Sequence, residues 1–263
     1  MAVDVRILLT NDDGIRARGL DLLRRALAPL AEVWVVAPDR EQSACSHALS
    51  LNDPVRVHRI EERVFALSGT PTDCVLFSIR GIAGVLEPHP QMVIAGINHG
   101  PNLGDDVTYS GTVAAAMEGA MLGLPAIAFS NASWRPQQLE ASAEVAARIV
   151  QGLLERELPP RLLLNVNVPD VPVAEMLGLR ATRLGKRVYR DVVVAEKDPR
   201  ARPYYWIGGD PPVWESDPDS DFEAVDSACV SVTPLLTDWT AHTSIETVAR
   251  LAEELEGAVL PRR

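Results

Sequence analysis

The chain has 263 residues, 47% hydrophobic and 23% charged, an ordinary globular composition long enough for one large domain with an extension. Its formal net charge of -11 argues against stable binding to nucleic acid or to an anionic membrane; any acidic protein that binds anions has to supply positive potential locally. Cys45, Cys74 and Cys229 are odd in number and far apart, with no C-x-x-C, which excludes the usual disulfide frameworks and zinc ribbons and suits a reducing compartment.

Val5 to Thr10 reads as a strand and residues 19–27 as an amphipathic helix, with apolar residues at helical spacing. Glu32 to Pro38 is a second strand, apolar enough to be buried on both faces. This β-α-β unit predicts a parallel sheet. Residues 41–68 break the rhythm, and the alternating runs 55–60 and 64–67 predict a hairpin-like insertion. A helix should follow Thr70-Pro71-Thr72-Asp73, where a Thr cap and an early Pro are favoured. Residues 91–97 form a buried strand, Gly111 to Gly123 a helix of small residues, and 126–130 a further strand. Gln137 to Glu157 is a long amphipathic helix, and residues 162–168 another strand. The predicted fold is α/β, a Rossmann-like, doubly wound, mostly parallel sheet over residues 1–180.

Beyond about residue 180 the β-α alternation stops. Arg180, Arg183, Lys186, Arg187 and Arg190 crowd together, whereas residues 210–226 carry seven acids and no base. These segments either pair, within one chain or between two, or are simply solvated faces. Residues 181–263 are read as a C-terminal extension with strands, a loop around "IGGDPP", a short helix, the strand "CVSVTPLL" and a last helix from Ser244. The N-terminus runs straight into a strand with no basic leader or cleavage site, and no apolar run reaches about 18 residues. The expectation is a cytoplasmic protein without a membrane span.

The chemistry gathers where strands end. Asn11-Asp12-Asp13-Gly14 follows the first strand, Asp39-Arg40-Glu41-Gln42-Ser43 the second, and Asn98-His99-Gly100-Pro101-Asn102 the run "QMVIAGI". In a parallel sheet these loops share the rim at which ligands bind. Asp12, Asp13, Ser43 and Asn98 are hard oxygen donors that suit Mg²⁺, Mn²⁺ or Ca²⁺, and two carboxylates nearly neutralise one such ion. Taken alone, the Asp pair is weak evidence, and a plain turn near a helix start is the simpler reading; the convergence of three polar loops is what favours a cation. Ser110-Gly111-Thr112 opens the small-residue helix, where free N–H groups and the dipole favour an anion; simple N-capping is the plainer reading. No Walker loop, D-x-D-x-T motif or G-x-S-x-G elbow is present. The five histidines show no paired spacing, though His99 adjoins the proposed site.

Several segments in collinear order between residues 7 and 240 carry a resemblance. They are "ILLTNDDGI", "VVAPDREQSACS", "SGTPTDCV", "AGINHGPNLGDDVTYSGTVAAAMEGAMLGLPAIAFS", "YYWIGGD", "DSDFEAVDSACVSVTPL" and "DWT". The chain resembles the SurE family of stationary-phase survival proteins, metal-dependent nucleotidases. The resemblance implies hydrolysis of nucleoside 5′- and 3′-monophosphates, and in some members shortening of polyphosphate. It implies one divalent ion per subunit, Mg²⁺ or Mn²⁺, on Asp12, Asp13, Ser43 and Asn98, with Asp12, Asp13 and Asn98 in catalysis. Asn11, Asn102, Gly104, Ser110, Gly111 and Thr112 then line the substrate's phosphate pocket. It also implies a homodimer or homotetramer in which the extension reaches over a neighbour. The residues before Ser43, His99 and the insertion at 53–66 are where this sequence departs from relatives. The rival reading is a nucleotide- or phosphate-binding protein without activity, and the carboxylate pair beside an anion site is unfavourable for it unless a metal intervenes.

Overall fold

The structure is a computed structural model and describes residues 5–82, 86–188, 191–209, 213–215 and 217–259. Arg190 of the basic cluster, and Asp210 with the two prolines of the "IGGDPP" loop, lie outside the described residues. The chain opens with β1 (Arg6–Thr10), α1 (Arg18–Leu27), β2 (Glu32–Pro38), β3 (Val57–Glu61), β4 (Val64–Leu67) and α2 (Pro71–Arg80). There follow β5 (Met92–His99), α3 (Gly111–Met121), β6 (Ala126–Asn131), α4 (Leu139–Leu154) and β7 (Leu163–Val168). The remainder holds β8 (Gly178–Ala181), β9 (Arg187–Val188), β10 (Asp191–Lys197), β11 (Pro203–Gly209), β12 (Val213–Trp214), α5 (Asp221–Asp226), β13 (Cys229–Pro234) and α6 (Ile245–Val259).

Nine strands form one sheet in the order β3-β4-β2-β1-β5-β6-β7-β13-β8. Every pairing from β4 through β7 is parallel. Only β3 against β4 and β13 against β7 run antiparallel. Alternation along the strands builds a core on each face. Ile7, Leu9 and Ile94 join Leu20, Leu23 and Leu27 of α1 and Val145, Ala146 and Val150 of α4 on one side. Leu8, Val93 and Ala95 join Cys74 and Val75 of α2 and Val113 and Ala116 of α3 on the other. This is the doubly wound arrangement. At about 25 cal/mol per Å² of apolar area, the two buried faces account for why these central strands read as unbroken apolar runs.

Local chemistry fixes the helix starts. Thr70 caps α2 with a reciprocal pair of bonds: its hydroxyl accepts from the Asp73 N–H, and its own N–H donates to the Asp73 carboxylate. That capping box satisfies two donors that the first turn otherwise leaves orphaned. Ser110 caps α3 by accepting from the Val113 N–H.

Two expectations need correction. The run 64–67 is no mere insertion: β4 is a buried strand of the main sheet, parallel to β2, with β3 as the edge strand beyond it. And residue 180 does not divide the sheet. β8 ends at Ala181, and β13, drawn from the extension, fits between β7 and β8. What stands apart is the hairpin of β10 and β11, which pair only with each other, and α6, whose described side chains are exposed.

Candidate metal and phosphate site

The strand order reverses at β1: the chain passes from β1 outward through β2 to β4, then returns to add β5 on the other side. Such a switch point leaves a crevice beyond the carboxyl ends of the strands on either side of the reversal. Asp12 follows β1 and Asn98 lies near the end of β5, so both stand at that crevice. A β-bulge adjusts the second of them. Ala95 pairs with Ala128 and Asn98 with Ser130, so β5 carries one residue more than β6 over this interval. Bulges re-aim side chains. The extra residue is accommodated at Gly96, where φ is +133° and a Cβ would come within 2.3 Å of the Phe129 carbonyl oxygen.

Asp12 is 3% exposed. One carboxylate oxygen accepts the Thr112 N–H at 3.1 Å and the other a short bond from the Thr112 hydroxyl, tying β1 to the first turn of α3. Gly111 makes this approach feasible: a Cβ there would lie 2.8 Å from Asp12 Cβ and 2.9 Å from its Oδ2. Burial pushes the Asp12 carboxyl from its ordinary 3.8 up to about 6, against the lowering effect of the Thr112 hydroxyl and with the Asp13 charge adding to the rise. Asp13 is half-buried and accepts the His99 N–H at 3.2 Å. Its carboxyl is also raised, first by burial and further by Glu41, with His99 opposing.

A cavity of about 280 Å³ opens over these residues, lined by Asp12, Ser43, Asn98, Asn102, Ser110 and, among others, Tyr109, Trp134 and Arg187. Asn102 is held from below. Its N–H donates to Asn167 Oδ1 at 2.8 Å, its carbonyl accepts from the Asn165 and Asn167 amides, and its side chain donates to Ser130. All four of these side chains are buried, and bonds made at low local dielectric hold the Asn102 backbone in place.

Five of the expected residues therefore share one cavity, with Thr112 and Gly111 against Asp12. Asp13 stands beside it, through His99. Ser43 lies on the cavity and its hydroxyl donates to Glu41 at 2.8 Å, which leaves the oxygen's lone pairs for a ligand role. Asn98 donates its amide to the Gly100 carbonyl. Asn11 and Gly104 have no face on the cavity. The Asn11 amide closes the turn onto the Gly14 carbonyl, and the Gly104 N–H is given to Asp221. Both bonds hold the loops of the site in place.

The residues fit a hard divalent cation. Among the described residues no three His, Cys, Asp or Glu side chains cluster closely enough to hold a metal, so neutral oxygens must complete the set, and Ser43 and Asn98 are there. Two adjacent carboxylates whose charge is disfavoured by burial are the donor chemistry that such an ion satisfies. Cys45 is no rival: burial and the Asp12 charge push its thiol up to about 11, so it stays protonated.

Three contributors were not legible. Trp134 follows β6, so the rule that ligands bind beyond parallel strand ends would have reached it. Tyr109 sits just ahead of the expected phosphate residues. Arg187 comes from the extension, 81 residues beyond the Asp106 it pairs with, and its basic cluster gave no hint of direction. It pairs with Asp106 at 2.7 Å, and both side chains are largely buried.

The model of the family "Survival protein SurE" matches residues 7–191. The chain belongs to the SurE family. It is 47% identical over 252 residues to the 5′-nucleotidase SurE of Coxiella burnetii (strain Dugway 5J108-111), covering 96% of each chain. It is 48% identical over 259 residues to the 5′-nucleotidase SurE of Methylococcus capsulatus, covering 98% of this chain and 99% of the relative. The crystal structure of the SurE protein from Aquifex aeolicus superposes with a TM-score of 0.82 at 39% identity, covering 94% of this chain and 99% of that one. The SurE fold thus extends over the extension as well as the sheet.

Proposed function

We propose that this SurE-family chain is a metal-dependent 5′-nucleotidase, hydrolysing nucleoside monophosphates to nucleoside and phosphate. The observation that carries the reading is the meeting of Asp12 and Asn98 with the N-terminus of α3 in one cavity. A phosphate beside a lone carboxylate pair is repelled; a cation between them reverses the sign. Asp12, Asp13, Ser43 and Asn98 would hold Mg²⁺ or Mn²⁺. When bound, such an ion neutralises developing phosphoryl charge and lowers the pKa of a coordinated water.

The rest belongs to the chain. Ser110 and the first N–H groups of α3 orient phosphoryl oxygens with the helix dipole behind them. Asn102, held by Asn165 and Asn167, presents a fixed donor for charge that grows in the transition state. Asp13, raised by burial and reachable beside the cavity, is the better placed of the two carboxylates to accept a proton, because both Asp12 oxygens already serve Thr112. The same pocket would admit 3′-monophosphates and the end of a polyphosphate chain.

The extension supports a homodimer or homotetramer in which it is exchanged. Val193, Tyr205, Trp206 and Ile207 of the hairpin and Ile245, Val248 and Leu251 of α6 are exposed apolar side chains, an area that a monomer leaves to water. The division at 180 is retained only as a boundary of this assembly role. No helix among the described residues is long and apolar enough to cross a membrane, and three free cysteines support a cytoplasmic setting.

The test is phosphate release from AMP, 3′-AMP and polyphosphate with Mg²⁺, with Mn²⁺ and with EDTA. Release from AMP that requires metal is expected. Binding of AMP without release under every condition would instead favour a non-enzymatic phosphate-binding protein.

A further inference from the structure

Trp134 is 65% exposed yet lines the same cavity as Asp12, Ser43 and Asn98. Its position is fixed from beneath. Gly100 has φ +127°, and a Cβ there would stand 2.8 Å from Cε3 and Cζ3 of the indole. The six-membered ring therefore lies against the backbone of the loop that joins Asn98 to Asn102, where only glycine leaves room. Tyr109, 58% exposed, is a second aromatic on the same cavity. An indole left two-thirds in water, on the wall of a cavity that also holds Asp12, Asn98 and Ser110, offers aromatic surface to whatever enters.

The size of the cavity says what that is. At about 280 Å³ it falls just below the range of pockets that enclose a whole drug-sized ligand. It accommodates a phosphate and part of a sugar, and the remainder of a nucleotide must project to the rim. Every nucleobase has a π face, and stacking on an aromatic side chain tolerates all of them.

We propose that Trp134, seated on Gly100, is the platform on which the nucleobase stacks, and that it makes this site prefer nucleotides over phosphomonoesters that lack a base. The proposal rests on the nucleotidase reading above. Tyr109 contributes a lesser part of the same aromatic rim. Discrimination among the four bases should be weak, since stacking reads area rather than hydrogen-bond pattern.

The test compares the full-length wild type with W134A and W134F. Adenosine, which carries base and sugar but no ester, is titrated by calorimetry with Mn²⁺ present. Base–aromatic stacking corresponds to a loss of about 5- to 150-fold on truncation to alanine, so adenosine affinity should fall by that factor in W134A and recover most of it in W134F. In parallel, KM for AMP should rise by a similar factor in W134A, well beyond any rise in KM for ribose 5-phosphate. Undetectable adenosine binding by the wild type, or an adenosine affinity in W134A within twofold of wild type, overturns the proposal. So does an equal loss for AMP and ribose 5-phosphate, which would make Trp134 a prop for the Gly100 loop. A change of mass by light scattering with adenosine affinity intact would assign the indole to a subunit contact and equally overturn it. The adenosine arm reads the platform whether or not phosphate is released; failure of release from both esters falls on the nucleotidase reading alone.

Discussion

Replacing Asp12 by Asn should abolish turnover and, in the absence of metal, make the protein more stable. The carboxyl is pushed from 3.8 to about 6, chiefly by burial. At about 1.4 kcal/mol per tenfold change in proton affinity, keeping it charged costs the fold about 3 kcal/mol at neutral pH. The raised value means that the native state binds the proton more tightly than the unfolded chain does. Its stabilising effect is therefore fully present below about pH 3.8 and is lost as pH rises through about 6. Asparagine removes the charge and retains the geometry. Its oxygen can accept the Thr112 N–H now made to Asp12, and its amide can donate to the Thr112 hydroxyl, which turns from donor to acceptor. For a chain of this size roughly 2–3 kcal/mol corresponds to about 4–12 °C in Tm. Scanning calorimetry in EDTA at pH 7.5 should find D12N more stable by that amount, and at pH 5 the gap should shrink to about half. Saturating Mn²⁺ should raise the Tm of the wild type and leave that of D12N nearly unmoved, since only binding to the native state stabilises it. A D12N protein less stable than wild type in EDTA at pH 7.5 would refute the claim that the buried charge awaits a cation.

The extension should matter to the site through Asp221. This buried carboxylate accepts the N–H groups of Gly104, Gly185 and Phe222, and D221A leaves all three unpaired at about 1–3 kcal/mol each. Urea unfolding should show a loss of several kcal/mol, and kcat/KM should fall as the loop from Asn102 to Gly104 loosens; unchanged kinetics would mean that the extension only covers the site. At Gly19, α1 crosses β5 so closely that a Cβ would meet the Ile97 carbonyl oxygen at 2.2 Å. G19A should cost about 1–3 kcal/mol or more by overpacking, despite the better helix propensity of alanine, and a stabilised G19A by the same urea measurement would contradict that contact.

What the sequence disclosed divides along physical lines. The central strands and the helices between them were legible because burial on both faces leaves an unbroken apolar run, and because Thr70 and Ser110 mark helix starts by their capping chemistry. Asp12, Asn98 and Ser110 were legible for a different reason: in a parallel sheet every strand delivers its following loop to the same rim, so chain order alone predicts proximity. β4 misled because a four-residue buried strand beside an exposed antiparallel partner has the same alternation as a free hairpin, and only the pairing with β2 distinguishes them. That Asn11 closes a turn onto Gly14 and Gly104 bonds Asp221 was not legible, because hydrogen-bond partners are invisible in a string of letters. Arg187 and Asp221 lay beyond reach altogether. They come to the site from an extension whose short strands, β9 and β12, pair only with each other, so no periodic pattern announces where that segment will lie. Yet Asp221 holds Gly104 and Gly185 together with bonds of 2.8 and 3.0 Å, and the Arg187 guanidinium reaches Asp106 on the cavity wall. A site assembled this way links the Gly104 loop mechanically to the segment that leads into the exposed hairpin. Any partner that seated on β10 and β11 would therefore bear on Gly104 through only a few residues.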